Sequence, residues 1–193
     1  MTRKKILEAA AQIFSQKGYH ATSMNDIARA VNLQKASLYH HVDSKQEILL
    51  SLLDQALDIL IGQMEEVIAE PVSADEKLRL AMRMYLLTLT EQRDLAAILL
   101  FEHRSLNPEL HARHVPRRDR FEQLWRDLLA GGIAEGKFDF PDVKLATRAL
   151  LGAMSWVVTW YHPDGPLSAY EITDLYAELI LNGFLSRGNH DDF

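Results

Sequence analysis

Between Thr22 and Lys45 the chain reads TSMNDIARAVNLQKASLYHHVDSK, a run whose polar residues are of the kinds that contact a DNA duplex. Gln34 and Lys35 carry groups suited to base edges, while the Ser37 and Tyr39 hydroxyls and the His40 ring suit phosphate oxygens. Ala36 and Leu38 stand among them and face inward or toward the groove wall. Ser44, Lys45 and Glu47 follow in the S-x-x-E pattern of a capped helix start. A helix N-terminus directed at a phosphate binds it through backbone N–H groups, and Lys45 adds a positive charge at that point.

These residues need a rigid mount, and the same stretch supplies one. Ser23 can cap a helix with Asp26 in its first turn, and Ile27, Ala28 and Val31 give that helix a small apolar face. Asn32 tolerates the left-handed backbone of a sharp turn, and Leu33 can plug the corner beneath it. A second short helix then spans about Gln34 to His41. Ahead of the pair, Arg3 to Lys17 reads as a supporting helix with Ile6, Leu7, Ala10, Ile13 and Phe14 on one face and Gly18 as its stop.

Gly18-Tyr19, Thr22-Ser23, Asp26-Ile27-Ala28, Leu38-Tyr39-His40 and Ser44-Lys45 stand in an order and spacing that resembles the TetR family of bacterial transcriptional regulators. The resemblance covers roughly the first fifty residues, with Asn32 where the family often has Gly. It implies that Tyr39 and Lys45 clamp phosphates, that Thr22 or Ser23 caps and touches the DNA backbone, and that Gln34, Lys35, Ser37 and His40 lie nearest the bases.

The net charge of −6 is unequally divided. Residues 1–48 hold seven Lys and Arg against four Asp and Glu, a net of +3, which leaves −9 for the rest. A basic head on an acidic body directs a duplex to one end of the molecule. The absence of Cys rules out a disulfide framework and thiolate chemistry. No apolar run has signal-peptide or membrane-span character, so a cytoplasmic protein that does not enter the membrane is expected. Phosphate-loop, G-x-S-x-G and H-E-x-x-H motifs are absent, and His111, His114 and the Glu102-His103 pair are too loosely spaced for a metal site. Neither an enzyme nor a metalloprotein is expected. The competing class is a helical ligand-binding protein or enzyme with a vestigial DNA-binding head.

Beyond Ser44 the chain reads as all-α. A helix to about Ala69 joins head to body. Ser73 and Glu76 form a capping-box pattern for a helix to about Glu91, and another runs from about Asp94 to Leu106. Asn107-Pro108 starts a short helix to His114, which Pro116 separates from a long one between Arg117 and Gly136. Asp142 caps a helix whose residues 149–161 are apolar almost all round, and Ser168 with Glu171 opens the last, to about Ser186. The expected organisation is a helix-turn-helix DNA-binding domain of three helices (residues 1–48), a helical ligand-binding and dimerisation domain (49–187) and a loose tail (188–193). Surplus apolar surface on the last two helices predicts a homodimer through a four-helix bundle, as the resemblance also implies, and two heads suit a palindromic double-stranded DNA operator.

For an effector, Met82, Tyr85, Leu99, Phe121, Trp125, Trp156 and Trp160 could line an apolar cavity, or fill the core. The stretch from Arg117 onward resembles the C-terminal domain of TetR-type repressors of fatty-acid and sterol catabolism, which implies an acyl-CoA effector. Arg113, His114, Arg117, Arg118 and Arg120 form a basic cluster able to hold CoA phosphates, or to pair with neighbouring carboxylates on a solvated face.

Overall fold

The computed structural model describes residues 2–182. Its helices are α1 (Arg3–Lys17), α2 (Met24–Ala30), α3 (Lys35–Leu38), α4 (Lys45–Ala69), α5 (Ala74–Glu91), α6 (Arg93–Ala97), α7 (Pro108–Ala134), α8 (Val143–Ser155), α9 (Val157–Trp160) and α10 (Ala169–Asn182). A π-helical turn, Ile98–Glu102, and a 3-10 turn, His103–Ser105, lie between α6 and α7. Strands are absent among the described residues. The part of the last helix expected beyond Asn182, and the tail, lie outside them.

Two apolar cores share α4. Ile6, Phe14, Ile27, Leu38, Ile48, Leu49, Leu52 and Leu53 fill the first, to which the body contributes Ile98, Leu106 and Leu110. Leu57, Leu60 and Met64, farther along the same helix, enter the second with Met82, Tyr85, Trp125, Leu128, Met154 and Ile172. The period of large apolar residues along α4 keeps one continuous face buried from head to body.

Several boundaries differ from expectation for local reasons. α7 runs unbroken through Pro116, although proline removes a ladder hydrogen bond. Ion pairs from α7 to α4 flank the proline: Arg113 with Glu47, Arg117 with Asp54 and Asp58, and Arg120 with Glu65. The expected 94–106 helix divides into α6 and the two tighter and wider turns. The apolar 149–161 segment breaks at Trp156, between α8 and α9. Ser168 and Glu171 close their capping box, with Ser168 N–H donating to Glu171 Oε2 at 2.8 Å and Glu171 N–H to Ser168 Oγ at 3.2 Å. The Ser73–Glu76 box does not close; instead Glu135, at the end of α7, accepts the Ala74 N–H at 3.1 Å.

The Tyr85, Phe121 and Trp125 rings pack together, with centroids 5.7 to 6.3 Å apart. Tyr85 Oη and Ser155 Oγ lie 2.9 Å apart, and burial pushes the phenol up to about 12. On the outside, α8 to α10 present Leu145, Trp156, Trp160, Tyr170, Leu175 and Leu179 to solvent.

Candidate nucleic-acid interface and its tie to the body

α2 is capped on both sides of its first turn. Ser23 Oγ accepts the Asp26 N–H at 3.2 Å, and Asp26 Oδ2 accepts the Ser23 N–H at 2.9 Å. Hydrogen bonds from the Ser23 side chain and then its backbone hold the Asp26 carboxyl below the usual carboxylate value. Asn32 makes the turn with φ +54°, and the Leu33 N–H returns to Ala28 O at 2.9 Å. Helix α3 is shorter than expected, continuing as turns through His41. Fully buried Leu38 and nearly buried Val42 pin it to the head core.

This anchoring leaves Gln34, Lys35, Ala36, Tyr39 and His40 exposed and Ser37 half-exposed, on the side of α3 away from the core. Gln34 and Lys35, at its start, extend into open solvent where a groove floor would meet them; Tyr39 and His40 lie at its end. The face carries donors of the kinds that read a major groove.

Thr22 and Lys45 take different places from those expected of DNA contacts. Thr22 is buried, and its hydroxyl donates to Gly18 O at 2.9 Å, so it closes the loop between α1 and α2 while Ser23 alone remains at the surface. Lys45 Nζ donates to Tyr19 O at 2.9 Å and to Thr22 O at 2.6 Å, and lies 4.2 Å from the Tyr19 ring centroid. Partial desolvation lowers its pKa. Two of the three ammonium donors therefore hold the loop, because the carbonyls that end α1 and precede α2 converge on the first turn of α4.

The same loop meets residues from far along the chain. Glu102 Oε1 accepts the Tyr19 N–H at 3.0 Å, and Glu102 Oε2 accepts the Ser105 hydroxyl at 2.9 Å. Ser105 Oγ lies 3.2 Å from His20 Nε2. Gln46 Nε2 donates to Tyr19 Oη and to Ser105 O, both at 2.8 Å, while its carbonyl oxygen accepts the Asn107 N–H at 2.9 Å. Sequence reasoning missed Tyr19, Gln46, Glu102 and Ser105, for these contacts join positions up to 85 residues apart and leave no local pattern.

The effector candidates do not converge on one open cavity. Met82, Tyr85, Phe121 and Trp125 are buried in the body core. Leu99 borders a narrow, mostly apolar seam of about 10 Å³ with Ala56, Ile59, Leu60, Leu89, Leu95 and Ala96, to which Thr88 and Gln92 add polar groups. Trp156 and Trp160 are 64% and 41% exposed, on the outer face of the α8–α9 break. Arg117, expected near a CoA phosphate, is spent on Asp54 and Asp58, and those carboxylates raise its pKa. Arg113 and Arg120 are likewise paired with α4, and buried His114 meets Asp54 at 3.0 Å. The basic cluster is thus largely an ionic seam between helices. An open cleft of about 800 Å³ lies between α1, α4, α6 and α9, with Phe101 at its side.

Residues 6–52 match the family described as bacterial regulatory proteins, tetR family, and residues 71–184 match the tetracyclin repressor-like C-terminal domain. The HTH-type transcriptional repressor KstR2 of Mycolicibacterium smegmatis is 31% identical over 185 residues, which cover 94% of this chain and 89% of that protein. The structure of PfmR, a TetR family transcriptional regulator from Thermus thermophilus, shares 39% identity at a TM-score of 0.86, over 94% of this chain and 99% of that one. AibR in complex with isovaleryl coenzyme A and operator DNA superposes with a TM-score of 0.87 at 28% identity, over 94% of this chain and 99% of the AibR chain. A matching C-terminal domain over more than half the chain, joined to a matching head with an exposed reading helix, makes this protein a member of the TetR family of DNA-binding transcriptional regulators.

Proposed function

We propose that the protein is a cytoplasmic, homodimeric repressor whose two heads read a palindromic operator and whose body releases it on binding an acyl-CoA or similar apolar effector. The observation that carries the reading is the solvent-facing set Gln34, Lys35, Ala36, Ser37, Tyr39 and His40 on a helix anchored by Leu38. In this reading Gln34 and Lys35 meet base edges, Ser23 and Tyr39 meet phosphates, and Lys45 acts by holding the loop that carries Ser23. The head comprises residues 1–48 and the body 49–187.

The exposed apolar residues of α8, α9 and α10 support a two-fold interface, and Trp156 and Trp160 are assigned to it. Such a pairing lets two short reading helices address half-sites about 34 to 36 Å apart. For the effector, the likeness to AibR, whose complex contains isovaleryl coenzyme A, supports a thioester. Its acyl part would open the seam at Leu99 and reach Met82, Tyr85, Phe121 and Trp125.

Fluorescence anisotropy on duplex DNA from immediately upstream of the gene, at two salt concentrations, tests the proposal. Specific binding that isovaleryl-CoA or a long-chain acyl-CoA abolishes, and free CoA does not, is the expected result. Specific binding indifferent to every thioester would remove the acyl-CoA effector, and absence of specific binding would remove the repressor.

A further inference from the structure

Glu102 is the last residue of the π-helical turn, and its carboxylate is committed in two directions. One oxygen takes the Tyr19 amide of the head; the other takes Ser105, whose hydroxyl also lies by the His20 ring. Gly18 turns the chain toward this contact with φ +81°, a backbone conformation that favours glycine. Tyr19 and His20 lie in the short loop between α1 and the Ser23 cap of α2, so whatever fixes their backbone bears on the angle at which the helix pair leaves α1.

The other end of the same short segment borders the apolar seam. Gln92, Leu95, Ala96 and Leu99 form one wall against Ala56, Ile59 and Leu60 of α4 and Thr88 and Leu89 of α5. The seam has room for about one water, so any apolar occupant must push a wall outward. A π-turn holds one residue more per hydrogen-bonded loop than an α-helix, and it is a place where a helix can change register locally. Leu99 and Glu102 are three residues apart in that turn, so displacement of the first moves the second.

We propose that Glu102 is the positioning residue through which the body sets the angle of the DNA-reading head, and that an occupant of the Leu95–Leu99 seam withdraws its carboxylate from Tyr19. The second half rests on the ligand-responsive reading above. Glu102 touches neither DNA nor effector; it acts through the Tyr19 amide.

The test uses the full chain as wild type, Glu102→Ala and Glu102→Gln. Without ligand, amide hydrogen exchange in a peptide spanning residues 18–23 should quicken about tenfold in Glu102→Ala, the scale of one charge-assisted hydrogen bond, with residues 78–89 unchanged. Glu102→Gln keeps an acceptor oxygen at the same reach and should restore most of the protection. On the upstream duplex, the ratio of affinities without and with isovaleryl-CoA should fall to less than about twofold in Glu102→Ala and recover in Glu102→Gln. Unchanged exchange at 18–23 in Glu102→Ala would overturn the proposal. So would equal acceleration along the whole chain in both variants, since that marks a merely structural carboxylate. A wild type that ignores DNA or thioester would sink the regulatory reading and the release step, while the exchange data would still decide the tie.

Discussion

Replacing Lys45 by Met separates two roles for one ammonium. The substitution keeps the aliphatic stem beside the Tyr19 ring and removes the donors to Tyr19 O and Thr22 O. A hydrogen bond to a charged group contributes about 1.5–3 kcal/mol when well buried, but water can reach these half-buried carbonyls, so the combined loss should be about 1–2 kcal/mol. For a chain of 193 residues that corresponds to a fall in Tm of roughly 2–8 °C. Operator affinity should weaken as the loop loosens, yet the dependence of log K on log salt should keep its slope. A direct phosphate contact would instead lower the slope by about 0.9 for each copy bound. Calorimetry with anisotropy titrations between about 50 and 200 mM salt measures both quantities. A lowered slope with unchanged Tm would refute the reasoning and return Lys45 to the DNA.

Other perturbations probe the mount and the body. Tyr85 has a phenol pKa raised by burial, so it favours the folded state fully below pH 10 and loses that contribution as pH rises toward about 12. Stability should decline by about 1.4 kcal/mol per pH unit from this group in that window, and Tyr85→Phe should flatten the decline in urea melts at pH 9.5 to 11. Gly132 lies under the Phe138 ring, where a Cβ would collide. Gly132→Ala should therefore destabilise by up to about 2 kcal/mol, the overpacking of about 1–3 kcal/mol less the roughly 1 kcal/mol gained in helix propensity. In a Phe138→Ala background only the Ala74 Cβ, 3.2 Å away, still crowds the added methyl, so the cost should shrink, and denaturant midpoints of the four proteins check the change. Asn32, with φ +54°, should accept Gly with little change, whereas Asn32→Val should cost about 1–2 kcal/mol by the same melts.

The head was legible in sequence because its signals are local. Ser23 with Asp26, Asn32 at the turn, and the alternation of buried Leu38 with exposed neighbours are all decided within a few residues. What escaped was decided across the chain. Pro116 marks a break by every local rule, but acidic residues of α4 hold the helix together on either side. The same pairing occupies Arg117, which the sequence had offered to a ligand, with Asp54 and Asp58. Ser73 and Glu76 matched a capping pattern, and Glu135 from the end of α7 took the Ala74 N–H instead. The sequence showed surplus apolar surface on the last helix but not which residues supply it; in the fold Ile172 turns inward while Leu175 and Leu179 face outward, a division that depends on where α5 lies.

The passage of α4 through both cores has a bearing on how the molecule can come apart. Ile48, Leu49, Leu52 and Leu53 complete the core around α1 to α3, and Leu57, Leu60 and Met64 begin the next one turn later. No extended linker separates the two, so cutting the chain at residue 48 would strip the first core of one whole side, together with Ile98, Leu106 and Leu110. An excised N-terminal fragment should then behave as unfolded chain. The intact protein should melt in one cooperative step, with the helix pair losing its amide protection only when the body does.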